Sequence, residues 1–331
     1  MASAATMSGL PLDALDRERR VLADTVRTGV YRAAITRLVR PGDVVVDLGA
    51  GTGVLAILCA GAGARRVYAI EPSPLARLGR ELAAANGVGD RVEFLEADPS
   101  VVSLPEAADV LLTSRLHGIP FRDNPLPALI EARDRLLSPR GRMIPDRVEV
   151  YVAPVEASAA WEQLVGVWLR PAYELDLSRV GQVSRHELHE TELDPRGLLA
   201  GAARIHVLEL AGAPSAGFEA QRYVAVTRDG TLHGLALWFE ARFAPDLSLS
   251  TSPEAPFTHW QHAFLPAPRP IPVAEGTRIG LVVETIPDGP VLHWRVTVRL
   301  GDRPTMPAYG LDTRLGFLSR PPHPSPLGSV R

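Results

Sequence analysis

The sequence predicts an α/β chain in which a parallel sheet covered by helices follows a helical lead-in and precedes a mostly antiparallel β domain. Three observations carry this. Strand-like and helix-like runs alternate between Val44 and Leu137, and a glycine-rich turn closes the first buried strand. Beyond about Asp146 the pattern changes to β-rich runs joined by turn signals. Alternation of the first kind needs crossover helices, hence parallel strands, whereas hairpin signals mark antiparallel pairs.

The elements follow in order. From Asp13 to Arg40, Leu15, Leu22, Val26, Val30, Ile35 and Leu38 recur at helical spacing. Pro41-Gly42-Asp43 breaks that pattern, and strands are expected at 44–48, 67–70, 92–95 and 110–112, with helices from Gly53, over 74–86 and over 126–137. Ser73-Pro74 is a helix start and Asn86-Gly87 a stop. Further on, Arg228-Asp229-Gly230 and Pro287-Asp288-Gly289 read as hairpin turns between runs at 223–226 and 235–243, and at 279–285 and 291–298. The stretch from Trp161 to His189 follows neither period, and the Pro-rich end over 319–331 reads as a disordered tail.

Composition narrows the class. A chain of 331 residues has room for about two domains, and 46% hydrophobic content lets it offset ordering entropy by burial. All 35 basic residues are Arg, and against 38 acidic ones they leave a net charge of −3, so no basic excess points to nucleic acid. The single cysteine, Cys59, excludes an internal disulfide and a cysteine-rich metal site, and fits a reducing cytoplasm. No targeting segment is evident at the start. The uncharged run from Leu48 to Ala64 is short for a membrane span and rich in glycine, so it reads as a turn feeding a buried helix.

That turn, Asp47-Leu48-Gly49-Ala50-Gly51-Thr52-Gly53, carries the chemistry. Glycines allow a sharp turn and close approach to a ligand, and the following helix offers free N–H groups. The third glycine falls one residue early for a dinucleotide fingerprint. G-x-G-x-G with an acid at the end of the next strand, Glu71, is the pattern expected of S-adenosylmethionine (SAM) methyltransferases, with Glu71 accepting the ribose hydroxyls. Asp98 closes the third strand, where its carboxylate is placed to accept the adenine amino hydrogens, with a loop cap as the alternative.

Further motifs resemble the protein arginine methyltransferases along nearly the whole chain. They are Val21-Leu22-Ala23-Asp24-Thr25-Val26-Arg27-Thr28 with Tyr31, Gly141-Arg142-Met143-Ile144-Pro145-Asp146-Arg147, Trp238-Phe239, Ser250-Thr251-Ser252-Pro253 and Thr258-His259-Trp260. The resemblance implies N-terminal helices and a Rossmann-like SAM-binding domain over 1–146, then a β-barrel domain over 147–318 whose dimerisation arm spans about 168–190. It implies a homodimer, a cofactor set of Arg27, Asp47, Gly49, Gly51, Thr52, Gly53, Glu71 and Asp98, and an Asp24–His259 pair at the catalytic centre. Neither a metal nor a membrane is implied.

The family clamps its guanidinium with two glutamates in the loop after the fourth strand. Here those positions are Ser114 and Asp123, and Arg115 and Arg122 have entered the loop. A guanidinium stays charged below a pH of about 12 and needs acidic partners, so the sequence favours a small-molecule or peptide-derived acceptor with a nitrogen, oxygen or electron-rich carbon nucleophile. Ser114, Arg115, Asp123 and Tyr31 would hold it, with His117, Asp123 or His259 as base. Arginine methylation, and a non-catalytic SAM-binding dimer partner, are the alternatives.

Overall fold

In a computed structural model, residues 12–116, 124–289, 291–301 and 308–316 are described; His117, Arg122, Asp123 and the Pro-rich tail lie outside them. The helical lead-in is two helices, α1 (Leu12–Ala23) and α2 (Thr25–Leu38), broken at Asp24. The break has a local cause: Asp24 leaves helical geometry and its carboxylate accepts the Arg27 N–H, capping α2. Buried Arg27, Tyr31, Ala34 and Ile35 then form one stripe of α2.

Next come β1 (Val44–Leu48), α3 (Val54–Gly61), β2 (Arg66–Ile70), α4 (Leu75–Ala85), β3 (Val92–Leu95), β4 (Ala108–Thr113), α5 (Leu126–Leu136) and β5 (Leu137–Ile144). The strands make a parallel sheet in the order β3-β2-β1-β4-β5. Every residue of central β1 is buried, as its Val-Val-Val run requires. Strand order reverses between β1 and β4, and the crevice beyond their carboxyl ends is where open α/β sheets bind ligands.

Behind the glycine turn, the Phe94 ring fills a notch between α3 and α4. A Cβ at Gly53 or at Gly79 would come within 2.2 Å of it. Both positions must therefore be glycine for β3 to pack this closely.

The remainder is antiparallel. It comprises β6 (Arg147–Val155), α6 (Ser158–Leu164), α7 (Ser178–Ser184), β7 (His189–Thr191), β8 (Ala203–Glu209), β9 (Phe218–Ala225), β10 (Gly230–Ala244), β11 (Leu247–Ser250), β12 (His262–Val273), β13 (Arg278–Asp288), β14 (Val291–Leu300) and β15 (Tyr309–Asp312). One sheet runs β7-β12-β10-β6-β8 with β11 on β10, the other β15-β14-β13-β9. Together they form a barrel-like unit whose core is continuous with that of the parallel sheet. At the junction, the Tyr31 ring of α2 meets Phe243 of β10 edge-on at 4.9 Å.

The turn at Pro287-Asp288-Gly289 does join a hairpin, since β13 and β14 pair out to Asp288 and Val291. Arg228-Asp229-Gly230 does not: β9 pairs with β13, while β10 pairs with β6, β11 and β12. The polar groups of that turn are engaged elsewhere, Arg228 with Glu156 and Asp229 with the Glu275 N–H, so the chain rounds a corner between sheets. The unperiodic stretch 161–189 contains α7 and a solvent-facing run in which Tyr173 is 96% and Leu175 58% exposed.

Candidate active site

Gly49, Gly51 and Gly53 all have φ between 56° and 81°, the left-handed region that favours glycine. Gly49 and Ala50 donate to the Ile70 carbonyl, tying the turn to the end of β2. Glu71, one residue on, is buried. Its carboxylate accepts the Gly51 N–H and the Ser73 N–H, each at 3.0 Å. A second carboxylate reaches the turn from α1, where Glu18 accepts both the N–H and the hydroxyl of Thr52. No sequence signal singled out Glu18, which stands in a run of helical charges.

Above the turn lies a cavity of about 250 Å³. Its walls come from α1 and α2 (Glu18, Arg27), the glycine turn and Glu71, Ser114 and Arg115 after β4, Glu190 of β7, and His259-Trp260. The sequence missed Glu190 too, because the edge strand that carries it has only three residues.

Arg27 is buried, and its Nε lacks a hydrogen-bond partner. Its guanidinium lies 4.9 Å from the Tyr31 ring centre and 5.6 Å from that of Trp260, contacts that offset part of its desolvation. Asp47, at the end of β1, is a buried carboxylate with both oxygens unpartnered. Burial pushes its pKa up to about 7, against the opposing pull of Arg27. A buried cation and a buried anion, both short of hydrogen bonds, suit a ligand carrying a carboxylate and an ammonium group.

Asp24 and His259 meet as the motifs implied. Asp24 Oδ1 accepts the Arg27 N–H at 2.8 Å, while Oδ2 accepts the His259 N–H at 2.9 Å and the ring Nδ1–H at 2.7 Å. Burial opposes ionisation of Asp24, but the hydrogen bonds from His259 and Arg27 outweigh it and hold the carboxyl below its usual range. With Nδ1 as donor, Nε2 of a neutral His259 is left as the acceptor.

Two other expected residues, Tyr31 and Asp98, stand off the cavity wall, while Arg115 remains on it. Tyr31 is fully buried and donates to the Thr113 carbonyl at 2.9 Å, which braces the end of β4, and it is absent from the cavity wall. Asp98 is exposed, likewise off the wall, and caps a short 3-10 turn by accepting the Ser100 N–H and hydroxyl. Arg115 lays its stem across Gly49, where an added Cβ would come within 2.4 Å of Cδ. Its charge reaches Asp98, whose carboxyl is held low mainly by Ser100 and in smaller part by Arg115. His117 and Asp123 fall outside the described residues.

The reversal of strand order, the G-x-G-x-G turn and the acid ending β2 define the class: a SAM-dependent methyltransferase with a Rossmann-like core. A family model of the arginine methyltransferase oligomerization subdomain matches residues 146–298, and one of the TRM5/TYW2 methyltransferase domain matches 23–126. Protein arginine N-methyltransferase 6 of Xenopus laevis is 30% identical over 273 residues, covering 78% of this chain and 80% of its own. A probable histone-arginine methyltransferase 1.4 of Arabidopsis thaliana is 33% identical over 288 residues, 79% of this chain but only 53% of its own. The Trypanosoma brucei PRMT1 enzyme-prozyme heterotetrameric complex with AdoHcy shares the fold, with a TM-score of 0.82 at 23% identity over 89% of this chain and 96% of that one. The chain belongs to the protein arginine methyltransferase family.

Proposed function

We propose that this protein transfers a methyl group from SAM to a guanidinium nitrogen of arginine in a peptide or protein. The position of Arg115 carries the reading: it stands on the cavity wall with its stem packed on Gly49, and its charge acts toward Asp98, which is off that wall. The like-charge objection raised by the sequence thus weakens, and with it the case for a different, small-molecule acceptor. The names of the relatives, protein arginine N-methyltransferase 6 and histone-arginine methyltransferase, support the same reading.

In this scheme Arg27 receives the cofactor carboxylate, Asp47 its ammonium and Glu71 its ribose hydroxyls. SAM supplies a methyl carbon activated by its sulfonium: a nitrogen lone pair attacks, the carbon–sulfur bond breaks with its electrons going to sulfur, and one N–H proton is lost from the acceptor. The protein aligns the groups and excludes water, while His259, fixed by Asp24, presents Nε2 to the cavity as a proton acceptor.

Incubation with labelled SAM and arginine peptides, read by mass spectrometry, should give methylarginine. Methylation confined to carboxylated small molecules would restore the reading based on sequence alone. SAM binding without turnover of any acceptor would indicate a non-catalytic partner, a second reading favoured by Ser114 at a carboxylate position and by the enzyme-prozyme neighbour.

The protein acts as a homodimer in this proposal, through the arm bearing exposed Tyr173 and Leu175. Support comes from the matched oligomerization subdomain and from apolar side chains that water covers in the single chain. Light scattering should give about twice 35.7 kDa, and Y173E/L175E should halve it. A wild-type monomer at micromolar concentration that turns over would defeat the dimer.

A further inference from the structure

Every backbone N–H of the glycine turn from Gly49 to Gly53 is taken. Those of Gly49 and Ala50 go to the Ile70 carbonyl, that of Gly53 to the Ala50 carbonyl and that of Gly51 to the Glu71 carboxylate. The Thr52 N–H and the Thr52 hydroxyl both donate to Glu18 Oε2, at 3.2 and 3.0 Å. The other donors are held within the turn and the end of β2, whereas Thr52 alone is held from α1. Glu18 lies tight on the turn, since a Cβ at Gly51 would come within 2.7 Å of its carboxylate. It lines the cofactor cavity together with Arg17, Arg20, Val21 and Leu22 of the same helix. Its charge reaches the buried end of β1, where it adds to the upward push on Asp47. Arg27, 3% exposed and with an unpartnered Nε, stands on the same wall.

We infer that Glu18 is a built-in competitor of the cofactor: its carboxylate holds the Thr52 donors and must leave them for the amino-acid carboxylate of SAM to enter the cavity. Two carboxylates repel at close range in a partly dry site. A ligand approaching the turn meets no other backbone donor that can be released without undoing the turn itself. Glu18 can be released, because α1 is a separate helix joined to α2 at the Asp24 break and the Glu side chain has rotamers of its own. Cofactor affinity is then scaled down by the fraction of molecules in which Thr52 is free. The same competition opposes retention of the spent cofactor, which carries the same carboxylate.

Calorimetry on the full-length protein tests this with S-adenosylhomocysteine, and with methylthioadenosine, an adenosine thioether lacking the amino-acid group, as control. E18A should bind S-adenosylhomocysteine at least fivefold more tightly than wild type, which corresponds to Thr52 being free in at most about a fifth of wild-type molecules. E18Q should fall between, because its amide oxygen still accepts from Thr52 but carries no charge. Methylthioadenosine affinity should stay within twofold in both variants, which checks that the cavity is intact. Unchanged S-adenosylhomocysteine affinity in E18A overturns the competitor, and weaker binding overturns it as well, since Glu18 would then be holding α1 closed over the ligand. An equal gain for methylthioadenosine also overturns it, because Glu18 would then obstruct any nucleoside rather than stand against a carboxylate. If neither wild type nor E18A binds S-adenosylhomocysteine, the competitor falls together with the cofactor roles given to Arg27, Asp47 and Glu71. None of these outcomes depends on whether arginine is the acceptor.

Discussion

Replacing Asp24 by Asn should cost nearly as much stability as replacing it by Ala, about 3 kcal/mol in urea unfolding. The estimate adds a lost helix cap, about 1 kcal/mol, to the loss of charge-assisted bonds at His259, about 1.5 to 3 kcal/mol. Asn fails because the site presents two backbone donors on opposite sides, the N–H groups of Arg27 and His259. Two oxygens accept both, whereas an amide must turn its NH2 toward one of them. Because the Asp24 carboxyl is held below its usual range, its contribution is present at neutral pH and is lost only in acid, as pH falls through the lowered value. A D24N protein as stable as wild type would show that the carboxylate is not needed as a double acceptor.

Arg27→Met should weaken SAM binding about 100-fold, equivalent to about 2.7 kcal/mol, on the scale of a lost ionic hydrogen bond. The change also acts on Asp47, because the Arg27 charge is the main influence opposing the upward push of burial. In wild type the folded protein keeps a proton on Asp47 up to a pH of about 7, while the unfolded chain releases it near 3.8. Ligand-free stability from this group is therefore present in acid and declines as pH rises between those values. An ammonium ligand requires the ionised form, so SAM affinity should rise with pH up to about 7 and flatten above. Calorimetry at pH 6 in two buffers should detect proton release on binding, and in R27M that release should persist at higher pH. A flat profile with no proton release would exclude Asp47 as the ammonium partner.

The parallel sheet was legible because its signals are local. The Val-Val-Val run of β1 and the glycines that follow admit few alternatives, and β1 and β3 begin and end at the residues the pattern gave. β5 was hidden by Pro139 and Gly141, which read as a turn but are tolerated in a strand at the sheet edge. The Arg228-Asp229-Gly230 turn misled for the opposite reason: its residues allow a hairpin, but partners distant in sequence decided which strands pair.

At the site, the glycines, Glu71, Arg27 and the Asp24–His259 pair were readable from motifs. Glu18 and Glu190 were not, because nothing in a helical Glu among other charges or in a three-residue strand says which cavity it faces. The direction of the Arg115 side chain was not readable, since spacing fixes where a loop residue lies and not where its side chain points. Tyr31 was assigned to substrate, although its hydroxyl is spent on the Thr113 carbonyl.

The two oxygens of Asp24 are served by partners that leave the ribosome at different times. Arg27 follows within a turn of helix, but His259 lies 235 residues downstream. At typical synthesis rates of about 5 to 20 residues per second, that interval is on the order of ten seconds or more. Through it, α2 has its cap but no anchor, Arg27 lacks Trp260 beside it, and the ligand crevice has a floor without its far wall. Glycine turn and strand ends are thus in place early, while cofactor retention waits for the last third of the chain.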